Sequence, residues 1–379
     1  MAMAIDRRRA LGALGGAVGG ALLPSRMSAD APMQARALFA AAAKDRQGKF
    51  SAIVFDPEAG TAVAQVELPA RGHDIAVRAI AGGGRELVAF ARRPENFAVA
   101  FSDDPARAPH WFTSRPDRHF FGHGIFSRDG RLLFTTENDF ATSAGMIGVR
   151  DATKGYAQIG EFTSGGIDPH ELALLGDGRT LVIANGGIRT HPDEPRLEGD
   201  LASMQPSLAY VDSQTGDLLE RHELPAELHQ LSIRHLCVGR DDKVLFGCQF
   251  RGPAWRAQAT VGQHRRGRPL ELLALPAPIN LKIRNYVASL AVDRRGETAI
   301  IAAPRGGLAV VIDIASGRYV AEYALADVFG VAARPDGAGF MLAAGDGALA
   351  ATVAKPADTI RKFPHALAAA WDNHLVALR

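Results

Sequence analysis

His119 and His123 stand four apart in "RHFFGHGIFSRDG" (Arg118–Gly130), among aromatics and glycines, and the strand-like "RLLFTTEND" follows at once. Imidazoles so placed can ligate a metal or exchange protons near neutral pH. His73 in "RGH", His170 in "DPHE" and His235 in "SIRH" also stand just before apolar, strand-like runs, and His365 in "FPH" is a looser fifth. His123, His170 and His235 precede the turn residues Gly130, Gly178 and Asp242 by 7 or 8 residues. Of 12 histidines, five therefore share one place in a repeating pattern, and placement carries the signal. Neutral imidazoles converging on an axis would suit copper, iron or zinc. Glu137, Asp139 and Glu171 are at hand to ligate or orient them. The expected metal ligands are His73, His123, His170 and His235. His119, a turn further back and without a counterpart, is expected to support them.

The segments that leave these strand pairs are also polar. They carry Arg92 and Arg93 in "ARRP", Asn185 and His191 in "ANGGIRTH", Gln249 in "CQF" and Arg305 in "PRGG". Arg71 and Arg234 lie beside the histidines themselves. Guanidinium forks fit carboxylates and phosphates. An anionic ligand, such as a metal chelate or haem propionates, is therefore expected beside or instead of a bare ion.

Two interleaved repeats position these residues. One reads apolar segment, Gly/Asp turn, apolar segment, as in "GIFSRDGRLLFTTEND" and "SLAVDRRGETAIIAAPRGG"; it occurs seven times. The other, as in "SLAYVDSQTGDLLERHELP", lies between its copies and also occurs seven times. Each is a pair of short strands around a turn. Seven alternating pairs at a period in the forties predict an all-β fold, a seven-bladed β-propeller with four antiparallel strands per blade. The ring is expected to close by pairing an outer-type hairpin at Phe50–Pro69 with an inner-type hairpin at His365–Arg379. In that geometry the loops entering the first strands and leaving the second strands share one face, which gathers the histidines and arginines.

Residues 1–31 are expected to be an export signal, 32–48 a linker and 49–379 the propeller. "DRRRALGALGGAVGGALL" places consecutive arginines before a short Gly/Ala-rich apolar run, as twin-arginine signals do, which implies a periplasmic location. Lys plus Arg total 43 against 41 Asp plus Glu, a balance that argues against a large nucleic-acid footprint. Cys237 and Cys248 flank one turn, open to a cross-strand disulfide or to two buried thiols. His374 in "WDNH" reads as a structural residue in a hairpin turn on the face opposite the cluster. The long loop Gly186–Pro206 reads as a lid, a partner contact or a mobile excursion. No nucleophile elbow, zincin, phosphate-loop or haem-attachment motif occurs.

The combination "RGH", "RHFFGHGIFSRDG", "TEND", "GIDPHEL", "ANGGIRTHPD", "MQPSL", "LSIRHL", "PRGG" and "WDNH" resembles an uncharacterised, twin-arginine-exported propeller family encoded beside imelysin-like and di-haem thiol-oxidoreductase-like proteins. The resemblance spans the mature chain. It departs at Asp117, where glycine is expected before "RHFF", and in the tail of "HPDEPR". It implies a periplasmic role in acquiring iron or a related metal, with iron first, copper second and haem as a further cofactor, and imelysin-like or di-haem proteins as partners. It brings no established activity. A more remote likeness, to the propeller of nitrous oxide reductase with its histidine-held copper cluster, is one of fold alone. The alternatives are a metal-assisted hydrolase of the propeller-lactonase kind, in which carboxylates activate water, and a protein-docking scaffold without metal.

Overall fold

A computed structural model describes residues 36–191, 201–337, 339–352, 359–368 and 370–378. The export signal expected at residues 1–31 and the middle of the long loop, residues 192–200, lie outside them. Seven antiparallel four-stranded sheets follow one another around a ring, as the repeats predict. The blades are numbered here by their innermost strands in chain order. These strands are Gly72–Ala79, Arg118–Phe126, Pro169–Leu174, Leu231–Val238, Ser289–Val292 and Val328–Ala333. Blade 7 has its innermost strand in two pieces, Ala370–Trp371 and Val376–Leu378. Each inner strand packs against those of its two neighbours, blade 7 against blades 6 and 1, so all seven surround one axis. Among the described residues no helix is long and apolar enough to cross a membrane.

The hairpins follow from their turns. Gly130 N–H donates to the Ser127 carbonyl (2.8 Å), and the same three-residue-back bond closes the inner hairpins at Gly178, Gly296 and Gly337. All four glycines have φ between 69° and 76°, a conformation that costs glycine little and other residues more. Packing between neighbouring blades forms the core. Ile300, Ala302 and Val311 of blade 5 meet Val331, Phe340 and Leu342 of blade 6. Fully burying one such aliphatic or aromatic side chain is worth about 1.5–3 kcal/mol.

Two boundaries differ from the sequence reading. The strand Leu38–Lys44, "LFAAAAK", lies in the stretch expected to be a linker, yet it is the second strand of blade 7. Alanine has weak strand preference and masks the pattern, whereas burial of Ala40, Ala41 and Ala42 decides the outcome. The C-terminal segment accordingly supplies a single inner strand rather than a hairpin. Both of its pieces pair with Leu38–Lys44, through Ala43↔Trp371 and Leu38↔Leu378. "WDNH" interrupts that strand instead of turning it.

The cysteines are free and buried. Cys237 stands opposite Leu245, and Cys248 lies three residues further along the same strand, so it leaves by the other face of the sheet. They enter different cores, which excludes the disulfide.

Candidate metal centre

Five inner strands carry a register shift near their start: between Gly72 and Ile75, Phe120 and Gly124, Pro169 and Glu171, Ile233 and His235, and Val328 and Gly330. A bulge breaks the alternation of side chains and re-aims a residue. In blades 1 to 4 the bulge or its flank presents His73, His123, His170 and His235. In blade 7 the interruption Asp372–Leu375 occupies the same place and presents His374.

The five rings touch. His123 is the hub, with centroids 4.5 Å from His374, 4.9 Å from His73, 5.5 Å from His170 and 5.8 Å from His235. The periphery closes through His73–His374 at 4.7 Å, His235–His374 at 5.0 Å and His170–His235 at 4.8 Å. Two triads, His73/His123/His170 and His123/His235/His374, each bring their ligand atoms within 4.8 Å of one another. Gly122 permits this approach. Its φ is +106°, and a Cβ there would lie 2.6 Å from the His73 ring.

Carboxylates fix three of the rings, each from the preceding blade. Asp372 accepts from Nδ1 of His73 at 3.1 Å, Asp74 from Nδ1 of His123 at 3.2 Å, and Glu171 from Nδ1 of His235 at 2.9 Å. A carboxylate on one ring nitrogen sets the tautomer and turns the other nitrogen into a basic ligand. His170 is looser, its Nδ1 being 4.0 Å from Asp168. Nε2 of His123, Nδ1 of His170 and Nε2 of His374 are buried without a hydrogen-bond partner. Groups of this kind call for an explanation, an ion among the candidates.

Burial holds His73, His170, His235 and His374 well below the ordinary imidazole pKa, and neighbouring positive charge adds to it. His123 is raised: burial opposes its charge, but the hydrogen bond and charge of Asp74 outweigh it. Burial pushes Glu171 up to about 8, with the charge of Asp74 adding to it. Four neutral imidazoles are four ligands in the form that binds a metal.

Of the residues expected at the site, His73, His123, His170 and His235 converge, and Glu171 orients His235. Others lie elsewhere. Glu137 is fully buried, accepting from Thr135 at 2.7 Å and pairing with Arg150 at 3.1 Å. Removing either partner of that pair would strand a buried charge, which makes it part of the blade's framework. Asp139 pairs with Arg118 at 2.7 Å. Asn185 binds Ser207 on the neighbouring strand of its blade and Ser164 in the segment that enters the blade. Nδ1 of His119 donates to the Phe120 carbonyl, its Nε2 accepts from Asn138, and its ring lies on Phe121 and Phe140. His191 also lies on Phe140. His365 packs on Trp371 away from the cluster.

The expectation that His374 is structural and on the opposite face is corrected: it contacts His73, His123 and His235. As a hairpin turn "WDNH" would carry His374 to the other end of the blade, whereas it interrupts the inner strand of blade 7 and presents His374 to the channel. Asp74 and Asp372 were also missed. For Asp74 the signal is the acidic residue directly after histidine in "GHD", as Glu171 follows His170 in "PHE"; Asp372, two residues before His374, has no such signal.

The channel differs at its two ends. Towards the starts of the inner strands lie Arg71, Arg92, Arg93, Arg234, Arg251 and Arg305. Arg71 pairs with Asp372. Arg305 stacks on Tyr286 at 5.0 Å, and the Gln249 amide oxygen accepts from Arg251 at 2.9 Å and Arg305 at 3.0 Å. At the other end a cavity of about 660 Å³ runs from His374, Asp74 and Glu171 past Leu290 and Val331 to the turn Ser127–Gly130. Asp74 and Glu171 are 18 and 19 % exposed, whereas His123 and His235 are 1 % exposed. The carboxylates thus stand between water and the imidazoles.

A family model described as "Protein of unknown function (DUF1513)" matches residues 66–378. No curated protein matches the chain. Among solved structures it is similar to Kuenenia stuttgartiensis hydrazine synthase, at 13% identity and a TM-score of 0.56, over 86% of this chain and 95% of that one. A likeness so distant in sequence concerns the fold alone.

Proposed function

We propose, for a chain that belongs to the DUF1513 family of proteins of unknown function, that the channel holds one transition-metal ion on imidazole nitrogens. The observation that carries this is the convergence of five histidines from five consecutive blades, four of them buried and His170 half-buried, with three of the rings oriented by carboxylates. Imidazole donors suit iron, copper and zinc, and the usual affinity order favours copper on such a site. The resemblance behind the iron expectation concerns biological role and leaves the donors open. The rings touch one another, which favours an ion over a porphyrin. The two triads share His123, and its Nδ1 is committed to Asp74, so a single nitrogen serves both and one ion fills the site.

The hydrolase alternative needs carboxylates free for the ion and its water, but Asp74, Glu171 and Asp372 are engaged with imidazoles. We place the protein in the periplasm, exported by the twin-arginine route on the evidence of "DRRR", and in metal acquisition. Imelysin-like and di-haem proteins are the partners, on the resemblance of sequence alone.

The test is titration of chelator-treated protein with Cu(II), Zn(II) and anaerobic Fe(II), read by competition with chromophoric chelators. Saturation at one equivalent is expected. His123→Ala should weaken binding by more than roughly 100-fold, beyond the loss usual for a supporting residue. The proposal fails if none of the three metals binds, or if the variant binds as the parent does.

A further inference from the structure

The two triads share His123, so a single ion has to choose between them. They are not equivalent. The rings of His123, His235 and His374 have centroids 4.5, 5.0 and 5.8 Å apart, against 4.9, 5.5 and 6.2 Å for His73, His123 and His170. The first set is buried throughout, whereas the second ends on half-buried His170, whose Nδ1 stands 4.0 Å from Asp168. A ring that nothing holds must be ordered by the ion itself, at a cost in side-chain entropy. The approach is one-sided as well. Of the five imidazoles only His374 lines the cavity of about 660 Å³, and Asp74 and Glu171 line it beside His374. Those two carboxylates take Nδ1 of His123 and of His235, which leaves Nε2 of each ring as the ligand atom. Nε2 of His374 is buried without a hydrogen-bond partner. The cavity therefore ends on one ring of the tighter triad and on the groups that hold its other two. Asp372, which holds His73, lines a different cavity with Arg71.

We propose that His123, His235 and His374 are the triad that holds the ion, through Nε2 of each, and that the ion is loaded through this cavity. The proposal rests on the reading above that the channel binds a metal, and says which imidazoles do so and from which end. A hydrated cation arriving along the cavity meets the oxygens of Asp74 and Glu171 and the ring of His374 before it reaches His123 and His235, which are each 1 % exposed. Three imidazoles leave a fourth position free, as in zinc sites that exchange a ligand. That position faces the cavity and takes water or another small donor. His73 and His170 then pack against His123 and complete the wall around it.

The experiment is chelator competition with Zn(II) and Cu(II) on single variants whose fold is checked by circular dichroism. His235→Ala and His374→Ala should each weaken binding roughly tenfold more than His73→Ala or His170→Ala does, as a lost ligand outweighs a lost support. Leu290 reaches the cavity from blade 5. Leu290→Trp should slow both uptake and release of Zn(II) about tenfold in stopped flow and leave Kd within about threefold, since a narrowed path changes rates and not the bound state. Should His374→Ala fail to fold, His235→Ala and the uptake rate decide. Equal losses in the histidine variants, or larger ones in His73→Ala or His170→Ala, overturn the choice of triad. Parental uptake by Leu290→Trp overturns the route. Either result, with metal still bound by the parent, leaves the metal centre standing. If the parent binds no metal, the metal centre falls and this proposal falls with it.

Discussion

Blades 7, 1, 2, 3 and 4 each send an imidazole to the axis, whereas blades 5 and 6 send none. The difference does not lie in the backbone device alone, because blade 6 has the same bulge with Phe329 at its centre. Blade 5 pairs Ser289↔Ala302 with no shift, and the Ser289 hydroxyl donates to the Phe329 carbonyl of blade 6. In blade 5 the polar group of the inner strand is spent on the neighbour's backbone, and the inner strand of blade 6, "VFGVAA", has no polar side chain. Among the five histidines, three ring nitrogens are instead held by carboxylates, and three others, on His123, His170 and His374, have no protein partner at all. The bulge is thus a common way of reaching the axis, and the side chain placed on it decides whether the blade joins a site or a wall.

The strongest way to break this comparison is to remove a carboxylate and keep every imidazole. Asp74→Asn removes the charge that holds His123, and Glu171→Gln puts an amide in place of a carboxyl that burial has raised to about 8, keeping its shape beside His235 but not its proton chemistry. Each should weaken metal binding roughly 10–100-fold, the usual cost of losing such support. Asp74→Asn should be the larger of the two because it frees the hub. Retention of parental affinity by both would mean that the carboxylates merely pin the blades together.

The same contrast explains what was legible in the sequence. Seven repeats and their Gly-bearing turns were readable because hairpin chemistry is local. His73, His123, His170 and His235 were readable because the repeat gave them a shared register. Glu137 and Asp139 were misjudged because a polar strand end says nothing about whether a side chain faces the channel or its own blade. His374 and the strand Leu38–Lys44 were missed because ring closure joins residues more than 300 apart and no local pattern announces which strand the C-terminus supplies; in the strand, the run of alanines hides the pattern as well. The pairing of Asp372 with His73 lies across that same closure.

A smaller effect concerns the metal-free protein and pH. His73, His170, His235 and His374 are buried with lowered pKa. Below about 6.5 the unfolded chain takes up protons that these folded imidazoles refuse, so stability falls as pH falls, by up to about 1.4 kcal/mol per pH unit for each. His123 has the opposite sign: its raised pKa contributes stability below the unfolded value, lost as pH rises through the folded one. Glu171, raised to about 8, acts with His123, because between pH 7 and 5 the folded carboxyl holds a proton that the unfolded one has lost. Four against two gives a net loss on acidification. Thermal melts in chelator should show the midpoint dropping from pH 7 to pH 5, less steeply in His170→Gln. A midpoint independent of pH over that range would contradict the buried, neutral state of the four.

The smallest effect tests the blades without imidazoles. Ser289→Ala deletes the hydroxyl that donates to the Phe329 carbonyl at the junction of blades 5 and 6. One such hydrogen bond is worth about 0.5–1.5 kcal/mol net, and chemical denaturation should show a loss of that order. Metal affinity should not change, because Ser289 offers its oxygen to a backbone group and sits on a strand that lacks the bulge. The contrast with Asp74→Asn is then complete: one variant loses stability and keeps the ion, the other loses the ion. If Ser289→Ala weakened metal binding as much as the carboxylate variants, all seven blades would have to be counted in the site, and the boundary between blade 4 and blade 5 would have no functional meaning.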